Sequence, residues 1–157
     1  MKSQDNISRI LIAVEDSPYS DQAIQYGMML AKKMGSKIAI IHADEIPVNT
    51  PFIADPMLSE TPLMIPEMME IQEEASKNLF KRIQDQYGDD IEISKYIRVG
   101  RAQDEILAVA EEYKADLIIL GTHGRTGLDH FISGSVSASV AKRAKCPVLI
   151  IPKREKE

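Results

Sequence analysis

Two periodicities alternate along this chain, and that alternation constrains the fold more than any single motif. Ile10, Leu11, Ile12, Ala13 and Val14 form a short unbroken apolar run. A strand wetted on one side alternates apolar and polar residues, so an unbroken run predicts a strand covered on both faces, as in parallel sheets. The period then changes. After Ser17 and Ser20, either of which suits a helix N-cap, small or apolar residues recur at Ile24, Gly27, Met28 and Ala31, and Gly35 stands where such a helix closes.

The pattern repeats to the end of the chain. Residues 38–42 predict a second strand, and Met68, Ile71, Ala75, Leu79 and Ile83 carry a long helical stripe ended by Gly88. Strands are expected over 91–99, 117–120 and 148–151. Between them, helical stripes run through Ile106, Val109, Ala110 and Tyr113, and through Ile132, Val136 and Val140. Five strands alternating with helices imply right-handed crossovers and an α/β, doubly wound parallel sheet with helices on both faces. With 157 residues, 44% of them hydrophobic, a single domain over 1–157 has material for one core. In such a sheet, ligands bind beyond the carboxyl ends of the strands where the winding reverses, which directs attention to the loops after the first and fourth strands.

The loop after the fourth strand holds Gly121, Thr122, His123, Gly124, Arg125, Thr126 and Gly127, with Gly134 and Ser135 opening the next helix. Glycine lets backbone amides approach an anion with no Cβ in the way, and a helix N-terminus adds unpaired N–H groups. Taken alone, glycines between a strand and a helix are equally well explained as turn formers.

In this place the pattern G-x-x-G-x9-G-S resembles the ATP-binding subgroup of the universal stress protein family. The stretches ILIAVEDS, IAIIHADE, ADLIILGTHGRTGL and GSVSASVAKRAKCPVLIIP extend the likeness through nearly the whole chain. The resemblance implies a flavodoxin-like, Rossmann-like sheet of order 3-2-1-4-5 and a homodimer formed by pairing of the fifth strand, residues 148–151. It also implies ATP held by Ala13 and Glu15 after the first strand and by Ala43 after the second, with Leu120 and Gly121 behind base and ribose. Gly124, Gly134, Ser135 and Val136 would hold the phosphates. One position departs from the family: where Val-Asp-x-Ser is usual, this chain has Val14, Glu15, Asp16 and Ser17. Either Glu15 or Asp16 is then expected at the ribose or at metal-bound water, although acidic residues near a helix start also favour its dipole. Arg125 is placed to fork onto a phosphate, or to remain a solvated loop arginine.

Composition narrows the partners. Nineteen Lys and Arg against twenty-four Asp and Glu give a net charge of −5, which opposes sequence-blind nucleic-acid binding. The lone Cys146 forms no internal disulfide, and neither a signal segment nor a long apolar run is seen, so a cytoplasmic protein without membrane insertion is expected. His123 and His130 lack carboxylates at ligand spacing, which disfavours a zinc site; Mg2+ carried by the nucleotide is the expected metal. The Walker pattern is missing, and the expected third strand ends in Ile97, Arg98, Val99 and Gly100, without the aspartate a receiver domain needs. Residues 44–65, with four prolines, are expected to be a long connection covering the base, and Met57, Met64, Met68 and Met69 to fill core gaps or else to form a soft partner surface. Three functions remain in contention: a nucleotide-dependent regulatory binder with little turnover, a slow ATPase or phosphotransferase, and a dimeric interaction module without nucleotide. The glycine and serine pattern favours the first, as does the lack of an evident general base.

Overall fold

The computed structural model describes residues 6–15, 18–45, 64–122 and 135–152. Along them run β1 (Arg9–Val14), α1 (Pro18–Met34), β2 (Lys37–Asp44), α2 (Met64–Tyr87), β3 (Ile93–Val99), α3 (Ala102–Tyr113), β4 (Leu117–Gly121), α4 (Ser135–Arg143) and β5 (Val148–Ile151). The five strands form one sheet in the order β3-β2-β1-β4-β5, every neighbouring pair parallel, as expected for this class. The third strand begins at Ile93 rather than at 91, because Ile91 still belongs to the bend that leaves α2.

Alternation along the strands sorts the core into two layers. Ile10, Ile12, Val14, Ile38 and Ile40 meet Ile24 and Met28 of α1 and Leu79, Phe80 and Ile83 of α2. On the other face Leu11, Ala39, Ile41, Ile118 and Leu120 meet Ile106 and Val109 of α3 and Val140 of α4. Ile10, Leu11, Ile12, Ile118 and Ile119 have no exposed surface; removing each such side chain from water stabilises the fold by about 1.5–3 kcal/mol. Gly27 lets α1 lie close on the sheet, since a Cβ there would stand 2.9 Å from Ile12 Cγ1.

Ends are fixed locally. Gly35, at φ +68°, closes α1, and the Ser36 amide reaches back to the Ala31 carbonyl at 3.0 Å, the six-to-one bond of a Schellman turn. At the amino edge of the sheet, Asp116 Oδ2 accepts the amides of Ser8 and Arg9, both at 2.9 Å, which locks the start of β1 against β4.

One expectation fails along α2. Leu79 and Ile83 are buried, whereas Ile71 is 67% exposed and Met68 and Met69 are also largely in solvent. The hydroxyl of Ser76 donates to Asp44 Oδ2 at 2.9 Å, which sets Ser76 level with the last residue of β2. Helix rises about 1.5 Å per residue. The turns before Ser76 therefore run past the carboxyl edge, and their stripe finds no sheet beneath it. Met57 and the Met64 side chain lie outside the described residues, as does most of the 44–65 connection.

Candidate functional site

The winding reverses between β1 and β4. From β1 the chain proceeds outward through β2 to β3, while β4 leads outward to β5 on the other side. The ladder between β1 and β4 runs from Ile10↔Leu117 to Ile12↔Ile119 and stops, although β1 continues to Val14 and β4 to Gly121. On its other side β1 stays paired with β2 as far as Val14↔His42. At the switch point both neighbouring strands thus run on past their shared ladder, where an α/β sheet has its crevice.

Side chains at that edge are small on one face. Toward α3 and α4, β1 steps from Leu11, fully buried, to half-buried Ala13, and β2 steps from Ile41 to half-buried Ala43. Leu120 is 4% exposed and packs in the same layer, with Ala13 and Val136 against it. Gly121 follows, half-buried, and the Thr122 amide ties the strand end to the Ile151 carbonyl at 3.0 Å. The helix α4 opens at Ser135, so its first turn stands beside this layer. Of the residues expected at a ligand, Ala13, Glu15, Ala43, Leu120, Gly121, Ser135 and Val136 therefore gather around the end of one sheet face. Asp16, Gly124, Arg125 and Gly134 lie outside the described residues, and so do His123 and His130.

Glu15 is half-buried at the exit from β1. Its amide donates to Ser20 Oγ at 2.7 Å. Ser20 is therefore not the N-cap but a buried residue of the first turn, turned back to hold the strand exit. Beyond β2, Glu45 Oε1 accepts the Ala102 amide at 2.9 Å, which satisfies a donor at the start of α3. Glu45 has a structural task, then, at the same edge.

On the opposite face lies a cluster that the sequence pattern did not mark as functional. His42, Asp44 and Ser76 are all buried. His42 Nδ1–H donates to the Val14 carbonyl at 3.0 Å, and Nε2 lies 3.1 Å from Asp44 Oδ1. The usable clue was a histidine closing an otherwise apolar run. Among the described residues no group of three or more His, Cys, Asp or Glu could hold a metal, and no helix is long and apolar enough to cross a membrane.

The arrangement agrees with a family assignment made independently of it. The universal stress protein family model matches residues 6–152. The chain belongs to the universal stress protein family. Universal stress protein MJ0531 of Methanocaldococcus jannaschii is 32% identical over 149 residues, covering 95% of this chain and 84% of the relative. Among solved structures, that of MJ0577, described as a structure-based assignment of biochemical function, superposes with a TM-score of 0.78 at 22% identity. It covers 96% of this chain and 99% of its own. MJ0577 is a universal stress protein of the same organism. A universal stress protein solved in complex with cAMP superposes with a TM-score of 0.64 at 22% identity, covering 94% of this chain and 98% of its own. These structural likenesses establish the shared fold.

Proposed function

We propose that this universal stress protein binds ATP at the carboxyl edge between β1 and β4 and acts as a nucleotide-dependent regulatory protein with little turnover. The observation that carries the proposal is the pair of strand ends, Ala13–Val14 and Leu120–Gly121, running past their shared ladder beside two alanines. Ala13 and Ala43 leave room for a flat base over the α3/α4 face, and the leucine at 120 offers it an apolar wall. Glu15, or Asp16 next to it, meets the ribose or metal-bound water. Phosphates lie toward the first turn of α4, where Ser135 and Val136 bring backbone amides and where Gly124, Gly134 and Arg125 are expected by motif. Magnesium would travel with the phosphates and keep most of its waters. A relative of the same fold that binds cAMP supports an adenine nucleotide as the ligand class.

The chain works as one domain in the cytoplasm and as a homodimer paired through β5. ATP regulates by binding one state of the protein more tightly than another, the only means by which a ligand shifts a population. Calorimetric titration with ATP, ADP, AMP and GTP, with and without magnesium, tests binding and base choice, and a phosphate-release assay tests turnover. Saturable binding of adenine nucleotides without steady phosphate release is the expected result. Rapid release would make the protein an ATPase.

A further inference from the structure

We infer that His42 is a positioning residue for the nucleotide edge, acting through the peptide that joins Val14 to Glu15; the inference rests on the proposed ATP site. The carbonyl of Val14 and the amide of Glu15 belong to one planar unit. Its oxygen accepts from His42 Nδ1 at 3.0 Å, and its N–H donates to Ser20 Oγ at 2.7 Å. Two side chains thus clamp the same peptide plane from opposite ends, one from β2 and one from α1. That plane sets the direction in which the chain leaves the sheet toward Glu15.

The clamp has its own support. A carbonyl only accepts, so Nδ1 carries a hydrogen, and Nε2 on the other side of the ring lies 3.1 Å from Asp44 Oδ1. The second carboxylate oxygen of Asp44 accepts the hydroxyl of Ser76 at 2.9 Å, and Ser76 Oγ also lies 2.9 Å from the Gln72 carbonyl. The Asp44 carbonyl in turn accepts the Gly100 amide at 3.0 Å. Ring, carboxylate and hydroxyl are 3%, 6% and 0% exposed as residues, and burying polar groups at such depth is costly unless each is paired. An apolar residue at 42 would simply continue the run from Ile38. Instead a polar chain runs from α2 through the end of β2 to the exit of β1, which makes the setting of that exit depend on where α2 sits.

Two substitutions separate the ends of the ring. His42→Asn keeps an amide N–H near the place of Nδ1, and His42→Gln keeps one near Nε2. Measured by calorimetry with MgATP, His42→Gln should raise the dissociation constant about tenfold while His42→Asn stays within about threefold of the parent, the scale of one lost hydrogen bond. In the ligand-free protein, the Glu15 amide should exchange with solvent about tenfold faster in His42→Gln and at the parental rate in His42→Asn. A merely structural histidine would lower the melting temperature without separating the two variants in either readout. A folded His42→Gln with parental affinity and parental Glu15 exchange overturns the inference. If the parent binds no MgATP, the nucleotide reading fails, and Glu15 exchange alone then decides whether His42 positions this peptide. Should His42→Gln not fold, Ser76→Ala takes its place: a smaller shift in the same direction is expected, and parental Glu15 exchange overturns the inference.

Discussion

Ser20 Oγ accepts the backbone amide of Glu15 at 2.7 Å, which joins the first turn of α1 to the residue that leaves β1. Ser20 is 6% exposed and Glu15 half-buried, so the bond is partly shielded from water. Ser20→Ala leaves a part-buried amide without its acceptor, and stability should fall by roughly 0.5–1.5 kcal/mol. Urea denaturation checks the value. Weaker ATP binding is expected as well, since the turn that presents Glu15 loosens.

The phosphate end gives a sharper prediction. A valine at Gly124 or at Gly134 would put a branched side chain where backbone is expected to approach the phosphates. Both Gly124→Val and Gly134→Val should fold, by circular dichroism, and lose ATP binding by calorimetry. Parental affinity in both would refute the assignment of those glycines.

The geometry of β5 chooses the test of the dimer. The Ile118 amide donates to the Pro147 carbonyl and the Thr122 amide to the Ile151 carbonyl, both at 3.0 Å. In a parallel pair, alternate residues face the partner, so the Leu149 N–H points at β4 and those of Val148 and Ile150 point to the open edge. Ile150→Pro therefore removes an edge donor without breaking the ladder to β4. Light scattering should find Ile150→Pro monomeric and the parent dimeric. A folded Ile150→Pro that stays dimeric places the interface elsewhere.

Cys146 is half-buried, and burial chiefly, with the nearby Asp116 carboxylate second, pushes its thiol above the ordinary 9.0. Less thiolate is present at neutral pH than for a free cysteine, so alkylation by iodoacetamide should be slow and accelerate only in strong base. A thiol whose folded pKa is raised contributes stability that is present below the unfolded pKa and is lost as pH rises through the folded one. Its contribution should therefore fade above about pH 9.

Strand positions and layering were legible because the central strands are apolar runs and each helix a stripe, while the strand order came from the family resemblance: Ile10, Leu11, Ile12 and Val14 are buried in the sheet, and Ile24 and Met28 pack against it as expected. The upper part of α2 was not legible. Periodicity reports a face, not whether a sheet lies beneath it, and Ile71 keeps the stripe's phase while standing beyond the carboxyl edge. At the candidate site, Ala13, Ala43 and Leu120 could be placed by strand position alone. Ser20 and His42 could not, because their roles depend on contacts across elements, 5 and 28 residues away in sequence. Motif spacing carries no trace of such contacts. The end of α3 is a similar case. Lys114 closes it at φ 57°, in the left-handed region where a glycine would have been the readable mark.

The most direct test of the account is the amide spectrum of the isotope-labelled protein titrated with MgATP. Binding between β1 and β4 predicts saturable shifts at Ala13, Glu15, Ala43, Leu120, Gly121 and Val136, with the amino-edge residues Ser8 and Asp116 unmoved. A spectrum unchanged at saturating MgATP, or shifts confined to residues away from the carboxyl edge, would contradict it.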